Sequence, residues 1–200
     1  MTTSVFHSAA RRLRRLWPML IVVLPCVLLA LGGEPVRDAL RYDRAAIAGG
    51  AWWRLFTGNF VHLGWSHLAE DMAGYILLWL LFEDALPAWR CPALIAVGAL
   101  GVGLGLLAGA PDLIWYVGIS GALNTVWMAG AMRLMRRGEG IGWLLGLFLL
   151  AKLVYEQCLG PLPFSEATTG GAVVVDAHLY GAFTGALVGG ISLLRRRAQV

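Results

Sequence analysis

Charge is the first thing this sequence is short of. Of its 200 residues, 14% are charged and 58% hydrophobic, whereas an ordinary soluble domain is roughly one quarter charged. That shortage argues against a water-soluble globule and points to lipid. Long polar intervals are also missing. The longest, about 32–60, carries its own aromatics, so no stretch is left for a separate soluble domain. The three cysteines, Cys26, Cys91 and Cys158, fall in different segments without metal-like spacing and read as apolar filler. There is no H-E-x-x-H pair, which removes the zincin pattern, and no internal repeat of the kind a small transporter would show. The net charge is +4, but the basic residues do not form a stripe interleaved with aromatics, so nucleic acid is not an expected partner. No metal and no cofactor are expected either.

What is present is a series of apolar runs, at about 17–31, 66–82, 92–109, 120–135, 141–156 and 172–194. Most approach the ~20 residues that cross a hydrocarbon core. They predict an all-α, polytopic membrane fold of six spans, several of them short or tilted. A single domain fills residues 1–200: a basic tail at 1–16, the first span at 17–31, an outer loop at 32–60, spans two to six within 61–194, and a second tail at 195–200. Arg11, Arg12, Arg14 and Arg15 precede the first span, Arg133, Arg136 and Arg137 end the fourth, and Arg195, Arg196 and Arg197 end the sixth. Basic loops stay inside, so both termini are expected in the cytoplasm and the loops 32–60 and 157–171 outside. Segment 1–31 also has the basic start, apolar middle and small residues (Ala30, Gly32) of a signal peptide. It is read as a span, because its removal would misplace the charges.

Polar residues within apolar runs cost free energy, so each needs a reason. The informative ones are His62, His67, Glu70, Asp71, Ser120, Asn124, Lys152, Glu156, Asp176 and His178. In Gly118-Ile119-Ser120-Gly121, glycines bracket a serine at the outer start of the fourth span. Glycine lets backbones approach and frees amides at a helix N-terminus, where a developing oxyanion is best held. The same cluster is also ordinary helix-packing material. His178 is followed by Gly181, Gly185 and Gly189, a face able to press on a neighbouring helix. A serine needs a base within hydrogen-bond reach to become a nucleophile, and Ser120 and His178 lie at comparable depths. His67 and Asp71, four apart, share a helix face, with His62 just ahead of it. Lys152 and Glu156 form an i,i+4 pair, expected to be a structural ion pair, with substrate recognition as the other reading.

Taken in order, these residues resemble the rhomboid proteases over nearly the whole chain. Trp53-Arg54-Leu55-Phe56-Thr57 is similar to the rhomboid W-R loop motif, and His62, His67 and Asp71 to its H-x4-H-x3-N pattern except at the last place. Gly118-Ile119-Ser120-Gly121 resembles the G-x-S-G nucleophile motif, and His178 with Gly181 and Gly185 the H-x2-G-x3-G motif of the sixth helix. The resemblance implies a rhomboid-type six-helix bundle and an intramembrane serine endopeptidase. Ser120 would attack and His178 act as base, a dyad whose imidazole is held by burial and packing and not by a carboxylate. Asp176, two residues before His178, points elsewhere on a helix and is read as a helix-end residue. The oxyanion site would map to His67, the Ser120 amide and Asp71, where most rhomboids have Asn. Asp71 is expected either to donate as a neutral acid or to pair as a carboxylate with His67. Asn124, where many rhomboids carry an aromatic, is expected to bond His178 or else to join two helices. His62, Trp53, Arg54, Gly118, Gly121, Gly181 and Gly185 are supporting residues, Arg54 as the anchor of the outer loop. The loop 157–171 would cap the site.

More narrowly, Leu40-Arg41-Tyr42-Asp43-Arg44, Trp52-Trp53-Arg54, Thr57-Gly58-Asn59-Phe60, Lys152 with Glu156-Gln157, and the stretch Val174 to Gly181 resemble the rhombosortase subfamily. That resemblance implies a bacterial inner-membrane enzyme with its site open to the periplasm. Its partners would be exported, membrane-anchored proteins whose C-terminal tail carries a Gly-Gly motif, a transmembrane helix and basic residues. The rival reading is an inactive rhomboid-like protein that binds transmembrane helices.

Overall fold

A computed structural model describes residues 2–197, with side chains for 16–191. The side chains of Arg11, Arg12, Arg14, Arg15, Arg195, Arg196 and Arg197, and the end of the expected C-terminal tail, lie outside the described residues. In chain order the elements are α1 (Thr2–Leu31), α2 (Gly33–Leu40), β1 (Tyr42–Asp43), α3 (Arg44–Ala48), α4 (Arg54–Thr57), a 3-10 turn (Gly58–Phe60), α5 (Trp65–Phe82), α6 (Arg90–Gly109), β2 (Trp115–Tyr116), α7 (Ser120–Arg136), α8 (Gly140–Leu159), α9 (Ser165–Thr169) and α10 (Val175–Arg197).

Each of the six apolar runs becomes a long helix, the element that satisfies every backbone group within one segment. The expected ends shift by a few residues, and α1 begins at Thr2 rather than near residue 17. The outer interval expected as a loop at 32–60 is largely helical, holding α2, α3, α4 and the 3-10 turn. The 157–171 interval likewise contains α9. These pieces run for eight residues or fewer, too short to leave a readable 3.6-residue repeat.

By length and composition α6 and α8 can each cross a membrane, and α1 with α2, bent by 118° at the break at Gly32, passes the same test if taken together. α5 is continuous but carries His67, Glu70 and Asp71 in its first two turns, and α7 has 17 residues. The main core joins α1, α5, α6 and α7 around Cys26, Tyr75, Phe82, Ile95, Ala99 and Val126. The outside is apolar as well: Leu28, Leu77, Trp143, Leu147, Phe148, Val154 and Phe183 are all more than half exposed. Apolar surface on this scale is what a lipid environment covers.

Candidate active site

The site is built from the α6–α7 connection. Arg44 reaches across to that connection. Its Nη2 donates to the carbonyls of Leu106 (2.8 Å) and Ala110 (2.7 Å), Nη1 to Leu107 (3.2 Å) and Nε to Leu113 (3.0 Å). One guanidinium thus gathers four carbonyls from the last turn of α6 and the segment that follows it. Beside it β1 pairs antiparallel with β2, Tyr42 opposite Tyr116. The Tyr116 hydroxyl then donates to the Gly118 carbonyl at 2.6 Å. Burial, reinforced by the Asp71 charge, pushes that phenol above its ordinary range, so it stays a donor. Gly118 has φ +111, and a Cβ there would lie 2.8 Å from the His67 ring. Only glycine both adopts that backbone and leaves the imidazole its place. The chain then enters α7 with Ser120 as its first residue.

Ser120 Oγ lies 3.0 Å from His178 Nε2. The sequence places these residues 58 apart; what joins them is the packing of α7 on α10. A side chain on Gly181 would run into the Gly121 carbonyl oxygen, and a Cβ on Gly121 would lie 2.8 Å from the Ala177 carbonyl. Gly185 faces the Thr125 carbonyl in the same way, and Thr125 Oγ1 donates to the Gly181 carbonyl at 2.8 Å. Small residues let the two backbones touch, and the Ser120–His178 distance follows from that contact.

The imidazole is not held by packing alone, as the two-residue expectation had it. His178 Nδ1 sits 3.0 Å from both Oε1 and Oε2 of Glu156, which is 2% exposed. Lys152 Nζ lies 2.7 Å from Glu156 Oε2 and 3.2 Å from His178 Nδ1. The Lys152–Glu156 pair is therefore present as expected but belongs to the site. Asp176 lies in the first turn of α10, in keeping with a helix-end residue.

On the other side of Ser120, Asp71 Oδ2 accepts the Ile119 amide at 3.0 Å and faces His62 Nε2 at 3.1 Å and His67 Nε2 at 3.3 Å. Neither histidine contact is aligned as a hydrogen bond, so both are electrostatic. Asp71 Oδ2 is thus an acceptor toward the backbone that leads into α7. His67 Nδ1 takes the Leu63 amide at 3.4 Å. A neutral His67 therefore carries its proton on Nε2. Asn124 does not reach His178. Its Nδ2 donates to the Ser120 carbonyl one turn back at 2.8 Å, and its buried Oδ1 has no hydrogen-bond partner among the described residues. Arg54 anchors the outer segment as expected, Nη1 donating to the Asp38 (2.9 Å) and Arg41 (3.0 Å) carbonyls, while Trp53 is 57% exposed beside it.

A cavity of about 460 Å³ opens onto Ser120 and His178. It is floored by α7 and flanked by α5 and α8, with Leu77, Leu81, Leu145 and Phe148 along its sides. Thr169 of α9 also lines it, and Thr168 Oγ1 ties α9 to α5 by donating to Glu70 Oε2 at 2.9 Å.

Sequence reasoning missed Glu156 as a partner of His178, and it placed Arg44 in a subfamily-like stretch without its contacts to the α6–α7 connection. The available signal for Glu156 was its cost: a carboxylate in a run apolar enough to cross lipid demands a partner. Lys152, one turn away on the same helix, already answers that demand in the sequence. A family model described as Rhomboid domain matches residues 49–195, most of the chain. No curated protein matches it.

Proposed function

We propose, from the premise that this chain belongs to the rhomboid family, that it is an intramembrane serine endopeptidase acting through Ser120 and His178. The reading is carried by one observation: a serine hydroxyl 3.0 Å from an imidazole nitrogen, at the base of a cavity flanked by apolar side chains. Ser120 Oγ attacks the scissile carbonyl carbon while His178 Nε2 takes its proton. The tetrahedral oxyanion is held by the Ser120 amide, a first-turn donor without an intrahelical partner, and by His67 Nε2–H. His178 returns the proton to the leaving amine, and water then cleaves the acyl-enzyme by the same path reversed. The apolar flanks formed by α5 and α8 suit a transmembrane helix as substrate.

The finer reading is of the rhombosortase type. The six long helices span the bacterial inner membrane with both termini cytoplasmic, and the site opens to the periplasm. Its substrates are exported proteins ending in a Gly-Gly motif, an apolar helix and basic residues. Supporting this are the subfamily-like stretches around Tyr42, Trp53, Lys152 and His178 and the basic residues at the ends of the fourth and sixth helices. A second reading, a helix-binding protein without activity, draws on Asp71, whose charge beside the oxyanion position opposes catalysis. Co-expression with a reporter bearing such a tail separates the two. Wild type is expected to shorten the reporter, and Ser120→Ala to leave it whole. Equal processing by both would overturn the peptidase reading.

A further inference from the structure

Two hydrogen-bonding schemes fit the distances around His178. If Lys152 donated to Nδ1, that nitrogen would be bare and would face both oxygens of Glu156 at 3.0 Å, lone pairs against lone pairs. Nε2 would then carry the proton and could not accept one from Ser120. If Nδ1 carries the proton instead, Glu156 accepts from it and from Lys152 together, and Nε2 is left open to the Ser120 hydroxyl 3.0 Å away. The second scheme leaves no acceptor facing an acceptor; its one like pair is Lys152 Nζ and Nδ1–H, 3.2 Å apart, and both turn a proton to the carboxylate between them. Three helices meet here: Ser120 on α7, Lys152 and Glu156 on α8, His178 on α10. These are the ionisable and nucleophilic groups that face the imidazole among the described residues.

We propose that Glu156 is a positioning residue that fixes the tautomer and ring orientation of His178, making the site a Ser120–His178–Glu156 relay clamped by Lys152. This rests on the peptidase reading above. As the Ser120 Oγ–carbon bond forms, the hydroxyl proton passes to Nε2 and the imidazolium keeps its Nδ1–H on the Glu156 carboxylate. As the carbon–nitrogen bond breaks, Nε2 gives that proton to the amine, and the carboxylate is unchanged throughout. Lys152 offsets the carboxylate charge within α8 and holds it in plane. Its ammonium also has a second effect, visible only when Glu156 is absent: it would then donate to Nδ1 and lock the unproductive tautomer.

The test uses the full chain in detergent with the Gly-Gly tailed reporter, and labelling of the serine by a fluorophosphonate probe. Glu156→Ala is expected to lower kcat by roughly 10²- to 10⁴-fold with KM within about threefold of wild type. Adding Lys152→Ala to Glu156→Ala is expected to raise kcat by at least about tenfold over the single variant, since the blocking donor is gone. Glu156→Asp should recover part of the loss, and near-isosteric Glu156→Gln stands in if the alanine variant fails to fold. Loss of a merely structural ion pair would make the double variant no better than the single one. Processing by Glu156→Gln or Glu156→Ala within about threefold of wild type, or a double variant no faster than Glu156→Ala, overturns the proposal while a labelled, active wild type keeps the peptidase reading. A wild type that neither labels nor cleaves sinks both.

Discussion

His62, His67 and Asp71 were legible in the sequence as a cluster, but what they do there depends on a neighbour 48 residues away. Asp71 Oδ2 receives the amide of Ile119, the residue just before Ser120, so this carboxylate fixes the entry to α7 from the side. Asp71→Leu leaves that buried amide without an acceptor, and an unsatisfied buried donor costs about 1–3 kcal/mol. The variant is expected to unfold earlier by that margin in a denaturant titration in detergent. Asp71→Asn, which keeps a carbonyl oxygen for the amide, is expected to unfold close to wild type. Ser120 and His178 could be nominated from spacing because each sits among glycines. Glu156 could not be joined to His178, since 22 residues and the crossing of two helices separate them. Asn124, expected to bond His178 or to join two helices, instead donates to the Ser120 carbonyl one turn back on its own helix.

Helix by helix, the order of long elements followed from the apolar runs, whereas the short helices between Gly33 and Phe60 left no periodic trace. Nor does a sequence tell which of several loop arginines will turn to the α6–α7 connection, and Arg44 does so through four carbonyls. The α7–α10 seam was foreshadowed by Gly181 and Gly185, and its tightness makes a sharp prediction. Gly181→Leu puts a side chain where the Gly121 carbonyl stands, and overpacking of a close contact costs about 1–3 kcal/mol. Because the same seam sets the distance from Ser120 to His178, the variant is expected to lose reporter cleavage and fluorophosphonate labelling even while it stays folded by circular dichroism. A matched Phe183→Leu change on the exposed face, 62% open, is expected to leave both readouts intact.

At the level of the whole molecule, the buried polar atoms gather toward one end of the bundle, and that end is the periplasmic one in the proposed topology. The cysteines offer a direct reading of it. Cys158, near the end of α8, is exposed, whereas Cys26 and Cys91 are buried. In intact spheroplasts a membrane-impermeant maleimide is expected to label the wild-type chain through Cys158. A Cys158→Ser chain carrying Gly138→Cys, in the turn between α7 and α8, is expected to react only after permeabilisation. The reverse pattern would invert the orientation. One further feature bears on how clients are chosen. The Thr168–Glu70 bond ties α9, which gives Thr169 to the cavity lining, to α5, while the outer flanks carry Leu77, Leu81, Leu145 and Phe148. Under the proposed peptidase reading, a segment travelling within the bilayer would enter between α5 and α8, past apolar side chains, sooner than a polypeptide arriving from water past α9.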